Sequence, residues 1–117
     1  MDTLVLTKGS ARFTVAVAGS SLTRARGLLA RPRLEPGRGL LIRPCTSVHT
    51  CFMRQSLDLV GLSRSEDGTA EVTWLSHDVR PWRFRWASRG TRDILELPAG
   101  EIQRTRLMVG DRLHLAN

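Results

Sequence analysis

Leu57-Asp58-Leu59-Val60-Gly61-Leu62-Ser63 is a short apolar run, Glu66-Asp67-Gly68 a turn signal, and Glu71-Val72-Thr73-Trp74-Leu75 a second run. Two short runs bracketing such a signal read as a β-hairpin, because glycine tolerates the positive φ that hairpin turns demand. The same rhythm continues in both directions. Glycine and proline recur from Gly9 to Gly110, leaving only short segments between them. Phe13, Val15 and Val17 alternate with Thr14 and Ala16, as in a half-buried strand. Further strands are expected at 39–43, 47–54 and 93–97, the last ended by Pro98-Ala99-Gly100, and at 112–115 after Gly110-Asp111. One helix is expected. Ser20-Ser21 offers an N-cap, Leu22, Ala25 and Leu29 fall at helical spacing, Gly27 weakens it and Pro32 stops it. The expected fold is mainly β: a compact sandwich, jelly-roll-like or small barrel, with one short N-terminal helix.

The chain has 117 residues, which fits one domain, 1–117, and falls short of two. Hydrophobic residues at 41% and charged residues at 25% describe a globular chain rather than a disordered one. No apolar run approaches the roughly 18 residues of a membrane helix. The opening Met1-Asp2-Thr3-Leu4-Val5-Leu6-Thr7-Lys8 lacks a basic start and a long apolar stretch, so a cytoplasmic location is expected. Eighteen basic residues, seventeen of them Arg, face eleven acidic ones, for a net charge of +7. Such a surface attracts polyanions or an acidic protein, although an Arg-biased composition produces the same balance without any partner.

Several residues invite chemistry. Cys45, His49 and Cys51 form a Cys-x3-His-x-Cys cluster. Zinc knuckles use Cys-x2-Cys and need a fourth ligand, which only distant His77 or His114 would supply, so no metal or cofactor is expected. Six extended residues span about 20 Å, against the roughly 6 Å between Cα atoms of a disulfide, so Cys45 and Cys51 are expected as thiols. A metal- or thiol-dependent enzyme built on these three residues stays open as an alternative. A strand that turns Val48, Thr50 and Phe52 toward the core would place His49, Cys51 and Met53 on the other face. His49 and Cys51, joined by Arg54, Asp58 and Glu96, form the candidate ligand-binding set. Glu96, flanked by Leu95 and Leu97, is expected to project away from them into water, and Asp111 to close a turn through nearby backbone.

Residues 80–92 carry Arg80, Arg83, Arg85, Arg89 and Arg92 with no acid among them. Trp82, Phe84 and Trp86 alternate with Arg83 and Arg85. The simple expectation puts the aromatics in the core and the arginines in water. The alternative is a basic ribbon for anions or nucleic acid, with an exposed ring for stacking.

In order, the segments 24–29 (RARGLL), 39–45 (GLLIRPC), 48–54 (VHTCFMR), 57–60 (LDLV), 95–100 (LELPAG) and 109–113 (VGDRL) carry a resemblance. The chain resembles the prokaryotic family called domain of unknown function 192 over about 11–115. That resemblance implies a small, mainly β domain of sandwich or jelly-roll type with a short helix near its start, and many relatives are exported. It supplies no activity. Many relatives carry a proline after the polar residue at 55 and an aromatic at 61. Ser56 and Gly61 stand here, and the strand entering the hairpin is expected to be looser for it. The functional expectation is therefore a non-enzymatic accessory module for a small polar ligand or a protein partner, with weak polyanion binding through the arginines.

Overall fold

The computed structural model describes residues 2–19, 33–51 and 53–117. The strands are β1 (Thr3–Lys8), β2 (Ala11–Ala18), β3 (Arg38–Ile42), β4 (Ser47–His49), β5 (Leu57–Leu62), β6 (Thr69–Val79), β7 (Phe84–Trp86), β8 (Asp93–Pro98) and β9 (Arg112–Ala116). The short helix α1 (Glu101–Thr105) lies between β8 and β9. Of the architectures expected, the chain adopts the barrel. Seven strands close in the order β1-β2-β3-β8-β5-β6-β9, while β4 and β7 pair separately as a two-stranded ribbon. Only β2 and β3 run parallel in the barrel. Closure leaves no barrel edge exposed for pairing with another chain.

Alternation fills the barrel. Leu6, Phe13, Val15, Leu41, Val60, Leu62, Val72, Leu95, Leu97 and Leu113 form its core, with Ile102 of α1 and Leu107 packed against them. A second layer lies on the other face of the sheet. There Leu57, Leu59, Val79 and Ile94 meet Val48 of the ribbon, with Leu34, Cys45, Met53, Trp74 and Ala87 around them. The ribbon therefore lies over the barrel wall and buries one face.

The hairpin that decided the reading is present as β5 and β6, but β6 runs on to Val79, past the expected end at Leu75. Gly68 takes φ 81° in its turn. Gly61 does not loosen β5. A Cβ there would lie 2.9 Å from Thr91 Oγ1 and 3.0 Å from Trp74 Cβ, so the space is filled by neighbours. Nor does the missing proline leave the entry unsupported. Gln55 Oε1 accepts from the Leu34 N–H at 2.6 Å, and its Nε2 donates to the Leu34 carbonyl at 3.3 Å.

The helix expected at 22–29 lies outside the described residues. Helix α1 was not anticipated, since Pro98-Ala99-Gly100 read only as a strand terminator. Gly100 takes φ 98° at its N-cap and Arg106 takes φ 57° at its C-cap. The strand expected over 47–54 stops at His49, and Cys51 lies in a turn. Among the described residues, no helix is long and apolar enough to cross a membrane.

Candidate functional site

The ribbon is built on Thr50, whose side chain is buried. Its N–H donates to the Arg83 carbonyl at 2.9 Å and its own carbonyl accepts from the Trp82 N–H at 3.1 Å. The hydroxyl donates to the Arg80 carbonyl at 2.6 Å and accepts from the Arg83 N–H at 2.8 Å. One side chain thus templates the loop 80–83. In that loop Trp82 takes φ 65°, a left-handed backbone that bulky residues rarely adopt.

From there β7 pairs antiparallel with β4, matching Ser47 to Trp86, Val48 to Arg85 and His49 to Phe84. Directly paired residues share a face. Val48 is buried against the barrel, so Arg85 lies on the inner side and is half-buried. His49, Phe84 and Trp86 consequently share the outer face. Phe84 and Trp86 stack with ring centroids 5.4 Å apart and planes inclined by 23°. His49 and Phe84 are 5.9 Å apart, tilted by 46°. The aromatics are not core residues: Trp82 is 59% exposed, Phe84 55% and Trp86 71%. The simple expectation for 82–86 is therefore reversed. The barrel core is already filled by other side chains, and a ribbon three residues long has one face to bury and one to show.

Arg80 and Arg83 precede Phe84 and Trp86 in the chain, and Arg89 and Arg92 follow them. Arg80, Arg83, Arg89 and Arg92 are exposed. Arg83 Nη1 donates to the Trp82 carbonyl at 3.3 Å and Arg85 Nη1 to the Phe84 carbonyl at 2.7 Å. A guanidinium carries five N–H donors, so these contacts orient the group and leave further donors for an anion. The ribbon is tied down at its far end by Ala87 N–H to the Thr46 carbonyl and Cys45 N–H to the Arg92 carbonyl, both 2.9 Å.

The candidate ligand set His49, Cys51, Arg54, Asp58 and Glu96 is not one constellation. His49 lies opposite Val48, as alternation requires, with its Nδ1 buried and without a hydrogen-bond partner among the described residues. Cys51 leaves the strand. Arg54 lines an open cavity of about 370 Å³ with Arg33, Glu35, Gln55 and Pro98. Asp58 pairs with Leu97 and Glu96 with Leu59, so the two carboxylates leave opposite faces of the sheet. Asp58 Oδ2 accepts from the Gly100 and Ile102 N–H groups at 3.0 and 2.9 Å, and Oδ1 from Asp78 at 2.9 Å. Glu96 is fully buried instead of wet, because its strand is covered on both faces.

Other acids and the Cys45 thiol are likewise engaged. Asp93 accepts from Arg64 at 2.5 Å and Arg43 at 3.1 Å, clasping β8 to two loops. Asp111 closes its turn as expected, accepting from the Met108 N–H at 2.8 Å, and also holds Lys8 at 2.5 Å. Cys45 Sγ donates to the Ser47 carbonyl at 3.0 Å, and burial pushes its thiol pKa up. Both cysteines are free thiols. Among the described residues no three His, Cys, Asp or Glu side chains gather as a metal site, so Cys45, His49 and Cys51 do not converge. The platform His49-Phe84-Trp86 was missed in sequence because His49 and Phe84 are far apart in the chain. The alternation of 82–86 was the available signal.

Known proteins share this architecture. A crystal structure of a candidate transcription regulator of Sinorhizobium meliloti superposes with a TM-score of 0.73 at 22% identity, covering 97% of this chain and 91% of that one. A protein of unknown function from Novosphingobium aromaticivorans gives 0.73 at 19% identity, covering 98% and 84%. At such identities the likeness is one of fold. In sequence, a UPF0127 protein of Pyrococcus furiosus is 36% identical over 114 residues, covering 94% of each chain. Another from Thermococcus sibiricus is 32% identical over 103 residues, covering 85% of this chain, which spans 64% of that relative's length. Residues 4–115 match the DUF192 family, described as "Uncharacterized ACR, COG1430". The resemblance carried by the six ordered segments is thereby established: the chain belongs to the DUF192 family, whose curated relatives bear the name UPF0127.

Proposed function

We propose that this chain is a non-enzymatic binding module that presents the outer face of the β4–β7 ribbon to an anionic partner. One observation carries this reading. Phe84 and Trp86 stand stacked and more than half exposed on a strand that carries Arg85 on its inner side and is bordered in the chain by the exposed Arg80, Arg83, Arg89 and Arg92. Exposed large rings lose stabilisation that burial would give, and a contiguous patch of them marks an interaction surface. The acids elsewhere have structural work. Asp58, Asp93, Glu101 and Asp111 each hold backbone or cationic groups in place.

Retention on immobilised heparin tests this. Replacing the five arginines of 80–92 by Gln is expected to remove most of the retention at low salt. The parent's retention is expected to fall steeply as salt rises, because binding an anion with cations releases counterions. Equal retention of parent and variant would overturn the assignment of the ribbon as the anion-binding face.

A further inference from the structure

The rings distinguish between classes of polyanion. Resting on the ribbon reading above, we propose that the partner is a single-stranded nucleic acid, its bases extending the stack of Phe84 and Trp86 beside His49 and its phosphates meeting the flanking arginines. Cross-strand pairing of His49 with Phe84 and the two-residue step along β7 to Trp86 place three rings on one face, in a bent row with Phe84 at the corner. Successive centroids are 5.9 and 5.4 Å apart, so the rings touch in sequence, stacked between Phe84 and Trp86 and tilted by 46° between His49 and Phe84. The most exposed ring, Trp86, ends the row, where an added base would continue the stack.

Every base has a π-face, so stacking tolerates sequence and needs no edge readout. In a duplex those faces are covered by neighbouring base pairs. A sulfated polysaccharide has no aromatic ring to offer, and an acidic protein offers carboxylates without a run of planar bases. Charge alone would attract all four, whereas rings and charge on one ribbon fit one of them. Thr50 fixes the geometry, holding Trp82 and Arg83 beside the row through its hydroxyl and backbone. The ribbon's inner side packs on the barrel, so the platform is held by a rigid support.

The test is anisotropy of a labelled oligothymidine of about ten nucleotides, compared with a duplex of equal length and with heparin as competitor. Trp86→Leu keeps an apolar side chain and removes the ring, and the parent's exposure at this site makes a folding defect separable by its melting temperature. The single strand is expected to bind more tightly than the duplex at equal salt and to quench tryptophan emission. Trp86→Leu is expected to weaken it about tenfold, the loss of roughly one stacked base. Equal affinity for single strand and duplex, unchanged in Trp86→Leu, would overturn the single-strand inference and leave a charge-driven anion face. Absence of binding to any of the three probes at low salt would overturn that face as well.

Discussion

Thr50 and Arg83 are joined through backbone and side chain: the Thr50 N–H donates to the Arg83 carbonyl at 2.9 Å, the Arg83 N–H donates to the Thr50 hydroxyl at 2.8 Å, and that hydroxyl lies 3.3 Å from the Arg83 carbonyl. This pairing fixes where the ribbon begins and holds the strained Trp82 between Arg80 and Arg83. Thr50→Val keeps the shape and removes the hydroxyl, leaving the Arg83 N–H without its acceptor. The expected loss is about 1 kcal/mol, since the Arg83 N–H and the Arg80 carbonyl each lose a part-buried hydrogen bond. Thr50→Ser retains the hydroxyl and is expected to lie close to the parent. Urea unfolding of the two variants checks this, and equal stability of Val and Ser would show that the hydroxyl does not hold the loop.

Asp58 joins β5 to the bulge of β6 at Asp78 and to the start of α1 through three backbone N–H groups. Asp58→Asn keeps the volume but replaces one acceptor oxygen with a donor facing another donor. A destabilisation of about 3 kcal/mol is expected, since bonds to a charged acceptor contribute more than neutral ones. The midpoint of denaturation reads it. An unchanged midpoint would mean that the contacts are satisfied without the charge.

Acid should weaken the fold through carboxylates that include Glu101 and Asp111. The Arg104 guanidinium beside Glu101 and the Lys8 ammonium beside Asp111 hold both pKa values below their ordinary range. A carboxylate with a lowered folded-state pKa contributes stability above its unfolded value, and this is lost as pH falls through the folded one. The melting temperature is therefore expected to fall from about pH 4 downward. Glu101→Gln and Asp111→Asn should each flatten that descent, and an acid limb unchanged in both variants would assign it to other groups.

Cys45 bears on the thiol-enzyme alternative. Burial raises its pKa, and the Ser47 carbonyl accepts from its thiol. In a Cys51→Ser chain it is the sole thiol. Alkylation near pH 8 is expected to run more slowly than in an unstructured peptide, because the thiolate is the reacting form. Faster alkylation would reveal an activated thiol and favour the enzymatic alternative.

Much of the barrel was legible in sequence because its rules are local. Turn residues and period-two alternation placed β2, β3, β5, β8 and β9 within two residues at each end. What escaped depended on distant contacts. Glu96 looked wet beside Leu95 and Leu97, yet its strand is covered on both faces, so alternation did not lead to solvent. Asp58 looked available for a ligand until α1, itself unforeseen, placed N–H groups on its carboxylate. The row 82–86 had the pattern of a buried strand. That reading was reversed because Val48 takes the inward position opposite Arg85, turning Phe84 and Trp86 outward. Whether alternate residues face in or out is decided by the pairing partner, and no local signal names that partner.

The ribbon as the recognition face is tested most directly by a nitrogen-15 amide spectrum of the protein titrated with the single-stranded oligothymidine at low salt. The account predicts shift changes concentrated at 47–50 and 80–92, with the Trp82 and Trp86 indole N–H signals among those that move. Changes concentrated instead around the exposed Arg12, Arg38 and Arg112, with the ribbon amides unmoved, would contradict it.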